Sequence, residues 1–290
     1  MYKTIIYYLS LLFSLSLISS CTKSLEEVPP SAEIINGFNV EWRKNVSEAK
    51  KNVIREIFND MIYVKGGLFL MGATQEQDIY ARHNEKPAHY VSVSDYYICK
   101  RELTIEQIEI LLNKSFSSYE KGQGAPNFFW DDWAYVMKVI EEYSNVKVDF
   151  PTEAQWEYAA RGGIYGKGYI YPGGNTIEDA ELSENELGLV DLAKGHSEWC
   201  KDAYNYYSNF PFENDPYYIQ GIGHIVRGGN AKSITEQWDY LKTFSTGDKF
   251  HSCYDDVRNC RVSARSYCDE TQSHLNTYIS CRLIINISKE

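Results

Sequence analysis

The chain has 290 residues and a formal net charge of −11. That acidic balance argues against nucleic acid and anionic membrane surfaces as partners. Aromatic residues are heavily used, with 24 Tyr, 12 Phe and 6 Trp, which suits packing in a loop-rich core ahead of a sugar- or peptide-binding surface.

The first residues form an address. Lys3 supplies a positive start, and Ile5 to Ser20 is an uncharged run of apolar and hydroxylated residues. The run is short for a bilayer span, which takes about 20 apolar residues, and reads as a secretory signal peptide over 1–20. It ends in Leu17-Ile18-Ser19-Ser20-Cys21, which resembles the lipobox of bacterial lipoproteins. That resemblance implies a diacylglyceryl thioether on Cys21, cleavage before it and acylation of the new N-terminus, a multi-chain anchor where one chain would be marginal. Residues 21–45 then read as the lipidated N-terminus and a polar, Pro-containing tether. Glu26 and Glu27 resemble the surface-export signals of Bacteroidetes lipoproteins. The expected location is the cell envelope, at the outer membrane on its periplasmic or surface face. After signal removal about 270 residues remain, room for one large domain or two small ones.

Residues 46–60 carry a helical stripe of Ala49, Val53, Ile54, Ile57 and Phe58. Met61 to Gly72 alternates apolar residues around Gly66-Gly67 and predicts a β-hairpin. Thr104 and Gln107 form a capping box ahead of Ile108, Leu111 and Leu112. A further amphipathic helix is predicted from about Asp132 to Tyr143, with Trp133, Val136, Met137 and Ile140 inward. Asp131 and Asp132 complement its dipole. Pro151 to Gly163 reads as a short capped helix, with Thr152 and Gln155 as capping box, Trp156, Ala159 and Ala160 on one face, and Gly162 at the left-handed terminus. Cys99, Cys200, Cys253, Cys260, Cys268 and Cys281 remain after Cys21 is lipidated, and an even count permits up to three disulfides whose pairing sequence does not choose. No ordinary zinc spacing is present.

Taken together, these motifs resemble a known family. Pro151-Thr152-Glu153-Ala154-Gln155-Trp156-Glu157-Tyr158-Ala159-Ala160-Arg161-Gly162-Gly163 looks like the signature segment of the formylglycine-generating enzyme family, also called the sulfatase-modifying-factor domain. Met61 to Gly72 resembles its opening, and Glu85-Lys86-Pro87-Ala88-His89-Tyr90-Val91 its "E-x-P-x-H-x-V". Tyr171-Pro172-Gly173-Gly174-Asn175, Asn185-Glu186-Leu187-Gly188-Leu189, Glu198-Trp199, Arg227-Gly228-Gly229, Ala264-Arg265-Ser266 and Cys281-Arg282-Leu283 follow in the family's order. The match runs from Met61 to Ile285 and assigns residues 61–287 to one domain. It implies an α+β fold related to C-type lectins, with twisted antiparallel sheets, few helices and much irregular chain.

The resemblance also implies a chemistry. Family enzymes oxidise a cysteine of a sulfatase to an aldehyde and use two cysteines that bind copper(I), an ion suited to soft thiolates. Counted from the flanking motifs, the two positions are Ser233 and Val257, and neither is a cysteine. Other pocket positions are Asn230, Arg265, Ser266 and Tyr278, of which only Arg265 and Ser266 match. The loop associated with calcium has lost its Asn, leaving Asp191 and Glu198 as candidate oxygen ligands. Cys253 and Cys260 form an alternative thiol pair. His89 reads as a core histidine, and no Gly-rich phosphate cradle follows a strand.

Three functions follow, in order of preference. The first is a non-catalytic binding or scaffold lipoprotein to which no cofactor is assigned. The second is a formylglycine-generating oxidase acting on exported sulfatases through Cys253 and Cys260. The third is a lectin-like module that binds envelope glycans through exposed Tyr and Trp.

Overall fold

A computed structural model describes residues 32–77, 80–118, 121, 128–182, 184–193, 195–207, 212–229, 257–268 and 279–287. Cys21, Asn230, Ser233, Cys253 and Tyr278 lie outside the described residues.

The chain starts with a two-stranded hairpin, β1 (Ala32–Ile35) and β2 (Phe38–Glu41). The turn is Asn36-Gly37, both at positive φ, the dipeptide that type I′ hairpins demand. Asn36 Nδ2 donates to the carbonyls of Phe58 and Met61 at 2.8 and 2.9 Å. It thereby caps the end of α1 (Glu48–Asn59). Ile35 and Val40 are buried in the core. The tether expected over 21–45 therefore stops short: residues 32–41 are folded, because the Asn-Gly turn places two apolar side chains against a helix that needs covering.

α1 begins at Ser47, whose side chain accepts from Lys50 N. α2 (Ile105–Leu112) carries the expected Thr104–Gln107 capping box and ends at Asn113 in the left-handed conformation. α3 runs from Trp130 to Ser144, slightly longer than expected. Asp132 accepts from the Phe129 amide at 3.0 Å, so this acid closes the helix start as well as complementing its dipole. These helices and the first hairpin enclose one apolar core around Ile54, Phe58, Ile108, Trp133, Val136 and Ile140.

The remaining strands form three small sheets. In the first, β6 (Tyr96–Cys99) lies between β3 (Met61–Val64) and β11 (Ile284–Asn286), antiparallel to both. In the second, β5 (His89–Val93) pairs antiparallel with β4 (Gly67–Met71) and parallel with β8 (Glu213–Asn214). In the third, β9 (Ile222–Arg227) lies between β7 (Glu198–Tyr204) and β10 (Ser266–Cys268).

The hairpin expected over Met61–Gly72 is not formed. β3 pairs with β6 and β4 with β5, so Gly66-Gly67 hands the chain from one sheet to the next. Gly66 passes so near β5 that a Cβ there would sit 2.3 Å from the Val93 carbonyl oxygen. The glycine pair answers a crossing of strands, which local alternation does not reveal.

α4 (Glu153–Ala160) carries the Thr152–Gln155 capping box, and Gly162 follows it at φ 88°. All eight of its residues are buried. It contacts β4 and β5 on one side and β7 and β9 on the other. Tyr96 OH donates to Gln155 O at 2.7 Å, and Tyr158 OH to Lys65 O at 3.1 Å. A last helix, α5 (Ile177–Leu182), lies on the surface loop beyond. This is the expected α+β architecture: small sheets, antiparallel but for the β5–β8 pair, few helices and long irregular connections. Among the described residues no helix is long and apolar enough to cross a membrane.

Candidate functional site

The motif arginines converge beneath the third sheet. Arg227, at the end of β9, is fully buried. Nε donates to Glu153 at 3.0 Å, Nη1 to the carbonyls of Val262 and Ala264 at 3.2 and 2.8 Å, and Nη2 to Glu157 and to Tyr207 OH. Arg265 grips Glu153 with Nε and Nη2 at 2.7 and 2.6 Å, and Nη1 reaches the carbonyls of Asn84 and Asn205. Glu153 and Glu157 lie one helical turn apart on α4, so one face of the signature helix presents two carboxylates to two guanidinium groups. Burial works against the ionised Glu153, yet Arg265 and Arg227 outweigh it and hold its carboxyl below the usual range. Arg261 makes a similar closed unit with Glu85, Gln77 and Ser263, and Glu85 too is held low against the cost of burial.

Asp202 sits at the start of α4. Its carboxylate accepts from Glu153 N at 2.8 Å and from Tyr218 N at 3.0 Å. Burial, reinforced by the nearby Glu153 charge, pushes it up to about 7.

Arg265 and Ser266 come together with Gly228 and Gly229 through the pairing of Ser266 with Val226. Arg265 is almost fully buried, and each of its guanidinium nitrogens is engaged. Val257 opens a single 3₁₀ turn over Val257–Cys260. Cys260 is buried and packs directly on Gly229: a Cβ at that glycine would lie 2.2 Å from the Cys260 sulfur. Its sulfur therefore faces backbone, and Gly229 is required to make room for it.

The other thiols are core groups. Cys99, Cys200 and Cys281 are buried and free, so three disulfides are not formed. Burial pushes Cys99 up to about 12, and Cys200 and Cys281 well above the ordinary thiol range.

The two candidate calcium ligands do not share a cage. Glu198 is fully buried, bound by Arg282 and by the Trp156 indole N–H at 2.8 Å. Burial raises it, with Arg282 opposing. Asp191 is exposed, at φ 62° in the preceding loop. Among the described residues no group of three or more His, Cys, Asp or Glu is placed to hold a metal ion. His89 is buried against Tyr207, ring centroids 4.6 Å apart, as a core histidine.

Outside this charged layer stands an aromatic ledge. The Arg265 guanidinium lies 3.9 Å from the Tyr207 ring centroid and 5.1 Å from that of Tyr204. Tyr204 stacks obliquely on Tyr267 at 4.5 Å and meets Tyr206 edge-on. Tyr206 is 74% exposed and Tyr267 44%. Sequence reading singled out neither these tyrosines nor Glu153, Glu157 and Glu85. Two acids spaced i, i+4 in a helix carrying Trp156, Ala159 and Ala160 are the available sign that buried cations have to meet them.

Comparison with known proteins locates the likeness in the first two thirds of the chain. Residues 46–182 match the model of the sulfatase-modifying factor enzyme 1-like domain. The formylglycine-generating enzyme of Streptomyces coelicolor is 35% identical over 109 residues, 28% of this chain and 35% of that protein. Residues 46–182 therefore carry a domain similar to the sulfatase-modifying factors. A second relative is the serine/threonine-protein kinase pkn1 of Chlamydia caviae, 26% identical over 230 residues, 66% of this chain and 36% of the kinase. The chain thus spans about a third of the length of these curated relatives. The fold also matches solved structures. Treponema denticola variable protein 1 aligns with a TM-score of 0.57 at 16% identity, over 88% of this chain and 98% of its own. PvdO from Pseudomonas aeruginosa aligns with a TM-score of 0.55 at 14% identity, over 78% and 94%.

Proposed function

We propose that this chain is a non-catalytic binding or scaffold module of the cell envelope, held at the outer membrane by a lipid on Cys21. In this reading the aromatic ledge over Arg265 receives a protein or glycan partner. The observation that carries it is the loss of usable sulfur. Ser233 and Val257 stand where the family's copper-binding cysteines belong. A hydroxyl and an alkyl group are no ligands for a soft ion and cannot relay thiol–disulfide exchange. The described buried cysteines do not replace them: Cys99, Cys200 and Cys281 are held as neutral thiols in the core. Cys260 lies under Gly229.

The alternative, an oxidase using Cys253 and Cys260, makes the opposite demand on the metal. Titration of the reduced protein with copper(I) should give no stoichiometric binding. One ion per chain, lost on Cys253→Ser, would replace this reading by the oxidase. Anchoring has its own test: the full chain in a bacterial host should incorporate labelled palmitate, and the Cys21→Ala variant should not.

A further inference from the structure

A second concavity lies away from the arginine layer, between β4 and the loop that follows α4. It is an open cleft of about 250 Å³. Its floor is bare because the loop is built on glycine. Gly163 and Gly168 both have positive φ, and a Cβ on Gly168 would meet nothing. Its walls are aromatic: Phe69, Tyr158, Tyr169 and Tyr171 all line it.

The charges of the cleft do not balance. Arg161 is its one basic lining residue among those described, and its guanidinium is consumed. Nε donates to Glu157 at 2.9 Å, Nη1 to Thr74 and Glu76 at 3.2 and 3.0 Å, and Nη2 to the Gly72 carbonyl at 2.6 Å. Glu186 lines the same cleft with its carboxylate against Gly162, and no described group donates to it or pairs with it. One carboxylate is thus left over, beside four aromatic rings and a shape that excludes little but bulk.

We infer that this cleft binds an organic ammonium group on an alkyl chain, of the kind a lysine side chain or a free polyamine supplies. Glu186 neutralises the charge, and the rings hold the methylenes and attract the cation through their π-faces. An anion is disfavoured by the surplus carboxylate, and a neutral apolar chain would leave it unmatched. The chain already makes one such contact at the rim, where Lys167 Nζ lies 5.6 Å from the Tyr169 ring centroid. Lys167 is therefore an internal competitor for one ring. The site is separate from the Arg265 ledge, and its failure would leave the copper result untouched.

The test is titration of the full chain at moderate salt, read by the tyrosine and phenylalanine side-chain resonances of the cleft. Probes are Nα-acetyl-lysine N-methylamide, spermidine and the uncharged Nα-acetyl-norleucine N-methylamide. Saturable shifts with either cation and none with norleucine are expected. Lysine amide acting alone assigns the site to a protein partner, and spermidine alone to a polyamine. Glu186→Gln should weaken binding about tenfold, near the value of one charge contact. Lys167→Ala should strengthen it about two- to threefold by freeing Tyr169. Both substitutions sit at partly or fully exposed positions, and an unchanged melting curve would confirm that they fold. No saturation by either cation, or equal affinity of norleucine and of the Glu186→Gln protein, would overturn the proposal.

Discussion

The two halves of this domain hold together by different physics. Around α1, α2 and α3 the interior is aliphatic and aromatic, closed by helix caps. Around α4 and β7, β9 and β10 the interior contains Arg227, Arg261 and Arg282, each fully buried and each closed by a buried glutamate. Apolar burial is non-directional and scales with area. A buried ion pair contributes little net stability over an apolar pair of the same shape, but it is intolerant of losing one member. The contrast explains why the recognisable motifs cluster in the second half: each fixes a charge that must meet its partner, whereas the first half asks only for hydrophobic residues of suitable volume.

The largest expected effect comes from orphaning a charge. Arg227→Met leaves Glu157 with Arg161 alone and Glu153 with Arg265 alone, and should cost about 3–5 kcal/mol in urea unfolding. Ile54→Ala in the apolar half should cost about 2–5 kcal/mol through lost burial and a cavity. The two are separated by pH. Glu153 and Glu85 are held low in the fold, so their share of stability is present above the ordinary carboxylate range and is lost as pH falls through their folded values. The Arg227→Met penalty should therefore shrink on acidification while the Ile54→Ala penalty stays level. Equal pH profiles would break the comparison.

Asp202 sharpens it from the other side. Its carboxyl is raised to about 7 from an ordinary 3.8. Its share of stability is therefore greatest at pH below about 4 and falls as pH rises through about 7. Asp202→Asn should flatten the neutral limb of the stability–pH curve and leave the acid limb. Smallest of all, Thr104→Ala and Thr152→Ala each remove a capping box and should cost about 1 kcal/mol. If the Thr152 change costs far more than the Thr104 change, α4 is positioned by its cap and not by its carboxylates.

Much of this was legible in the sequence, for identifiable reasons. Capping boxes and the left-handed Gly162 are local, so Thr104, Thr152 and their helices read directly. The ordered motifs carried the fold class, since each marks a residue with one permitted environment. What escaped was non-local. Gly66-Gly67 looks like a hairpin turn, yet it answers the Val93 backbone of another strand. The first hairpin was hidden inside an apparently polar tether, although Asn36-Gly37 was its sign. Glu153 and Glu157 show in the sequence only as members of the signature segment, because their arginine partners lie about 70 and 110 residues away. The surplus carboxylate at Glu186 depends on where Arg161 spends its donors, which only the folded geometry reveals.

On the proposed reading, the family's fold persists here without its thiol chemistry. The most direct test incubates the full chain with a Cys-x-Pro-x-Arg peptide, oxygen, reductant and copper(I), and weighs the product by mass spectrometry. The peptide should keep its thiol mass at every time point. Conversion of the cysteine to the aldehyde, abolished by Cys253→Ser, would contradict the account.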